Sequence, residues 1–163
     1  MTDLTPGEVV EIEVGQRKAY AQITHYHSSY PPVVRVLDGL LDERPSDIGA
    51  LVAGETQFIA MIPLGTALKR AGASFEIVGN FEVPAAHRDF PTFRMPIRDK
   101  KGEIIYWWLW DGRGLSYDVE LTEAQDALPL REVMTGSIDY AERRFRERLR
   151  SLPDGEWKEV QFI

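Results

Sequence analysis

At 163 residues, with 44% apolar and 28% charged side chains, the chain can bury a core of its own and has the composition of a globular protein. It contains no cysteine, which excludes thiol catalysis, disulfide scaffolding and cysteine metal sites. Nineteen Lys and Arg against 26 Asp and Glu leave a net charge of −7, a balance that argues against nucleic acid as a partner and suits a basic one.

The N-terminus, MTDLTPGEVV, has neither a basic cluster nor an apolar run, so it does not read as a signal peptide. No segment reaches the roughly 20 apolar residues of a membrane-spanning helix. The expectation is a cytoplasmic chain without a membrane partner, forming one domain over residues 1–163. That domain is strand-rich over residues 5–120 and helical over 121–152.

The first predicted element is a strand over residues 8–14. Val10, Ile12 and Val14 alternate with Glu11 and Glu13, the period of a half-buried strand, so both glutamates are expected to face water. Gly15-Gln16 turns the chain into a second strand, 18–26, as a hairpin. Pro31-Pro32 starts a third, 33–37, which ends at Asp38-Gly39. A short helix follows over 48–52 with Ser46 as its cap, and then a strand over 56–62. Residues 64–71 suit a helix closed by Gly72, and a strand covers 75–79.

Residues 81–96 carry Pro84, Pro91 and Pro96 beside Phe81, Phe90 and Phe93. That composition reads as a loop or edge strand held by aromatic anchors. Lys100-Lys101-Gly102 is a turn before a strand over 104–110, and Asp111-Gly112-Arg113-Gly114 is a turn before another over 115–121. Thr122 caps a short helix before Pro129. The most regular helix spans 137–152, with Ile138, Ala141, Phe145, Leu149 and Leu152 on one face and a mixed-charge arginine face opposite. A final strand is expected over 156–163. The fold class is α+β: a strongly bent antiparallel sheet or open β-barrel with a C-terminal helix packed on one side.

Motifs for chemistry are sparse. No phosphate-binding loop, dinucleotide fingerprint, HExxH helix, EF-hand loop or GxSxG elbow is present. His25 and His27 place two imidazoles on one strand face, but His87 is the only other histidine, so neither metal nor cofactor is expected. Residues 106–110, Tyr-Trp-Trp-Leu-Trp, are apolar on both strand faces, the pattern of a core strand or of one face kept for a partner. Trp110 precedes a turn and is the ring least able to reach the core. With Asp111, Arg113, Phe90 and Phe93 it forms the candidate partner surface, and no catalytic residue is assigned.

Residues 7–14 (GEVVEIEV) and 18–23 (KAYAQI), followed later by 75–84 (FEIVGNFEVP) and 90–93 (FPTF), carry a family likeness. The chain resembles the immunity protein 26 family of bacterial polymorphic toxin systems over residues 5–120. That family opens on a glycine-led strand ending Ile-Pro-Leu, then a tyrosine strand, and later has a Trp-x-x-Ile-Gly stretch. Val14 and Phe75 depart from it. The resemblance implies a β-rich cytoplasmic protein that binds and neutralises a cognate toxin by occlusion rather than catalysis. The residues alone leave open a ligand- or nucleic-acid-binding barrel that uses exposed tryptophans.

Overall fold

The computed structural model describes residues 4–129 and 138–155. Four strands run as an antiparallel meander: β1 (Glu8–Val14), β2 (Arg17–His25), β3 (Val33–Leu37) and β4 (Thr56–Met61). After β4 the helix α2 (Leu64–Arg70) carries the chain back across the sheet. It delivers β5 (Phe75–Asn80) to the free edge of β1, giving the order β4-β3-β2-β1-β5. Gly72 ends α2 at φ 68°, the left-handed conformation its position requires. The helix α1 (Ile48–Val52) lies between β3 and β4. Its cap is Asp47 rather than Ser46: the Ala50 amide donates to Asp47 Oδ1 at 3.0 Å.

The remaining strands form a second sheet. β6 (Phe93–Arg98), β7 (Ile104–Trp110) and β8 (Leu115–Asp118) pair antiparallel in that order. The structure is therefore α+β with two antiparallel sheets, neither closed into a barrel, in place of one bent sheet containing β7. Residues 93–98 form a full strand despite Pro96. β6 is an edge strand, where a residue without an amide hydrogen can sit on the unpaired side. The helix α3 (Glu123–Asp126) begins at a complete capping box formed by Thr122 and Gln125.

Both faces of the five-stranded sheet are covered. On one, Val10, Ile12, Ala21, Ile23, Val34 and Val36 pack under α2 and the last helix, α4 (Ile138–Arg150), through Leu64, Leu68, Phe145 and Leu149. On the other, Val9, Tyr20, Leu37 and Leu41 pack under α1 through Leu51 and Val52. The C-terminal helix thus docks on one side through Phe145 and Leu149, as the heptad-like spacing implies. Ser137, the side chain of Ile138 and the strand expected over 156–163 lie outside the described residues. Beyond α4 the chain is tied back to the sheet. Arg17 Nη1 donates to Asp154 at 2.6 Å, and the Gly155 amide donates to Leu40 O.

Double coverage explains why Glu11 does not face water. It is 6% exposed and stands opposite Tyr20 on the face beneath α1 and the 38–47 segment, whereas Glu13 is exposed. Tyr20 Oη donates to Glu11 Oε2 at 2.7 Å. Arg44 donates to both carboxylate oxygens, at 2.7 and 3.1 Å, and also to Glu76 at 2.6 Å. Arg44 pulls the Glu11 carboxyl down to about 2 against the opposing cost of burial, and Tyr20 and Lys18 add to the pull.

A carboxyl depressed in the fold takes up its proton more readily in the unfolded chain. Its stabilising contribution is therefore complete above the ordinary value of 4.5 and is lost as pH falls from there towards 2. The span corresponds to about 3 kcal/mol. Urea unfolding at stepped pH is expected to show that loss between pH 4.5 and 2 in the wild type, and a flatter profile in Glu11→Gln. Parallel profiles for the two proteins would refute the assignment.

Candidate functional site

The five residues singled out in the sequence converge, but not as a surface patch. Phe93 pairs with Trp110 across β6 and β7, and the Phe90 ring stands edge-on to Trp110 at 5.6 Å and near Phe93 at 6.3 Å. Phe93 (0% exposed) and Trp110 (7%) are core residues, packed with Met95 against Val33 of the main sheet. Phe90 is half-buried beside them. Only Asp111 and Arg113 of the five are exposed. Trp110 reaches the core because the turn after it folds back onto the main sheet instead of projecting from it.

Two histidines hold that turn and the Phe90 loop in place. His27 Nε2 donates to Gly112 O at 3.0 Å, while the Ser29 amide donates to His27 Nδ1 at 3.0 Å, so both ring nitrogens are engaged. His25 Nε2 donates to Arg88 O at 2.7 Å, anchoring the loop that carries Phe90. The His27 ring also meets Trp110 at 5.5 Å and Phe90 at 5.9 Å. The pair that resembled half a metal site is the clasp between the loops and the sheet. Among the described residues no group of three His, Asp or Glu is placed to hold a metal ion. Gly112, at φ 91°, lies so close that a Cβ there would come within 2.8 Å of the Phe90 ring. Asp111 Oδ1 accepts from the amides of Gly114 at 2.8 Å and Arg113 at 2.9 Å, and these bonds hold its carboxyl below the ordinary range.

The exposed apolar surface lies one strand further on. Five of the eight large apolar side chains left exposed among the described residues are Ile104, Ile105, Leu115, Tyr117 and Val119. Leu115 stands opposite Trp110 and Tyr117 opposite Trp108. The face therefore runs from the buried Trp110 cluster out to Tyr117, which is 70% exposed and touches Tyr106 at 6.0 Å. β8 pairs with β7 on one side, and its other edge carries no strand among the described residues. From Gly114 to Pro129 the chain has no Lys or Arg, while Asp118, Glu120, Glu123 and Asp126 are all exposed. The alternation of Leu115, Tyr117 and Val119 with Ser116, Asp118 and Glu120 was visible in the sequence. Only the direction in which the apolar phase points was not.

The three tryptophans of β7 are not open stacking platforms. Trp110 is buried, Trp108 is half-buried against the same cluster, and Trp107 carries the Arg94 guanidinium 5.2 Å above its ring. No helix of the described residues is long and apolar enough to cross a membrane.

No protein family model, curated protein or solved structure matches the chain. The likeness to the immunity protein 26 family therefore rests on the sequence patterns quoted above.

Proposed function

We propose that the chain is an immunity-type binding protein of the cytoplasm, which neutralises a cognate bacterial toxin by covering it and performs no catalysis itself. The observation that carries this reading is the apolar strand β8, whose outer edge carries no strand among the described residues, with Leu115 and Tyr117 exposed on one face. An exposed apolar edge is a liability for a protein that stays alone, and it is a ready template for a partner's strand. Main-chain bonds along β8 would supply affinity, and the Leu115 and Tyr117 side chains would supply specificity. The exposed acids from Asp118 to Asp126 favour a basic toxin surface, as does the net charge of −7. Asp111 and Arg113, at the turn of the same hairpin, form the polar rim of this contact.

The test is protection. A host making the cognate toxin is expected to grow when the wild-type chain is co-expressed. Tyr117→Ala is expected to cost at least about 2 kcal/mol of toxin affinity, measured by titration of the purified pair. Wild-type binding by a folded Leu115→Ala/Tyr117→Ala variant would move the interface elsewhere. Failure of the wild-type chain to protect would remove the immunity reading.

A further inference from the structure

A second surface has the opposite chemistry to the β8 edge. Between β4, the Leu128–Pro129 segment and α4 lies a cleft of about 580 Å³, rimmed by Arg94, Arg144 and Arg148, with His87 and Thr56 in its wall and Phe58 in its floor. That volume falls within the range of small-molecule sites, which runs from about 300 to 1,000 Å³. We propose that this cleft binds a nucleotide-sized organic phosphate, a role independent of the toxin-binding reading.

The charges of the cleft do not cancel. Arg144 pairs with Glu147 at 3.2 Å, and Arg94 lies 3.7 Å from Asp126 while donating to Leu128 O at 2.9 Å. Arg148 meets no carboxylate among the described residues. Its guanidinium lies 3.9 Å over the Phe58 ring, half-buried. Burial and the neighbouring Arg144 push that guanidinium below its ordinary value, so an anion in the cleft relieves both effects.

A further cation stands behind the wall. Arg35 is 1% exposed and has no carboxylate partner among the described residues, and its Nε donates to Thr56 Oγ1 at 2.9 Å. Thr56 Oγ1 in turn lies 3.1 Å from His87 Nε2. The hydroxyl accepts from Arg35 and has a hydrogen and a second lone pair left for His87, whose tautomer sets the direction of that bond. Burial, then Arg35 and His25, lower the affinity of His87 for a second proton, so its ring is neutral near pH 7. Among the described residues, three guanidiniums at the rim and one behind it, against Asp126 and Glu147, leave a net positive cleft on an acidic protein. Guanidinium forks match phosphate oxygens in pairs. The apolar side, Phe58, Ile59, Leu128 and Pro129, suits a flat ring, so the site fits a phosphate with an organic body better than a bare ion.

The test is calorimetric titration of the full chain at low salt with ADP, inorganic phosphate and adenosine as separate probes, with amide shifts followed by NMR. ADP is expected to bind saturably at one site below about 1 mM, shift the amides of Thr56 and His87, and bind more weakly as salt rises. Inorganic phosphate and adenosine are each expected to bind at least tenfold more weakly. Arg148→Met, which keeps an apolar stem on Phe58, is expected to lose at least tenfold in ADP affinity. The exposed Arg144→Gln repeats that test if Arg148→Met does not fold. Absence of saturable ADP binding, shifts confined to other amides, or wild-type affinity in the folded variants would each overturn the site. Phosphate binding as tightly as ADP would overturn the nucleotide-sized ligand.

Discussion

Phe145→Ala is expected to lower the unfolding free energy by about 3–5 kcal/mol, the range for truncating a buried aromatic ring. Phe145 is 3% exposed and stands edge-on to Phe58, with centroids 5.6 Å apart and ring planes at 71°. An edge-to-face pair adds to simple area burial, by roughly 0.5–1.5 kcal/mol. Phe58 also carries the Arg148 guanidinium over its ring, so removing the Phe145 ring loosens the support of a cation on the same helix. Leu149, one turn on, fills the same core and limits how far the cavity can collapse. Phe145→Leu, which keeps most of the volume, is expected to cost less than half as much. Guanidinium unfolding of the three proteins decides the matter. A loss below about 1 kcal/mol in Phe145→Ala would mean that α4 does not dock on this sheet.

That helix marks what local sequence reasoning can reach. The i, i+4 spacing of Ala141, Phe145 and Leu149 reports a helix and its buried face from neighbours along the chain. The strand character of β1, the glycine after α2 and Thr122 as a helix cap are equally local, and the structure shows all three. The failures are of another kind. Glu11 has the alternation of a solvent-facing residue, but Arg44, 33 residues away, arrives from a loop to cover it. The division into two sheets depends on which strands pair, which no short window records. Trp110 precedes a turn, which on local grounds puts it at the surface. What draws it inward is His27, 85 residues from the carbonyl it holds. The arginine cleft is the extreme case. Its walls come from residues near 56, 94, 128 and 148, and the arginine face of α4, read alone, is a solvated helix.

Arg35 poses the sharpest energetic question in the molecule. Its charge is buried with no carboxylate partner among the described residues, and moving an ion out of water costs several kcal/mol even after the protein relaxes. Four hydrogen bonds oppose that cost. Nη1 donates to Gln22 Oε1 and to Val52 O, both at 2.9 Å, Nε donates to Thr56 Oγ1, and Nη2 reaches Gly54 O at 3.4 Å. Val52 ends α1, so the guanidinium supplies donors to carbonyls that the short helix leaves unpaired. Hydrogen bonds to charged groups contribute about 1.5–3 kcal/mol each, so the set offsets desolvation that still holds the guanidinium below its ordinary value, at about 10.

Removing the side chain gives back the desolvation cost. It also strands the Gln22, Val52 and Gly54 oxygens in a dry site and opens a cavity between β3 and α1. Arg35→Ala is therefore expected to lose about 4 kcal/mol. Arg35→Met fills the space and leaves the same acceptors without donors, for a loss of about 2 kcal/mol. The difference between the two variants measures the packing, and the loss in Arg35→Met measures the donors net of the charge. Denaturant unfolding with unchanged m-values is the measurement. A Met variant as stable as the wild type would show that the guanidinium contributes no net stability at this position.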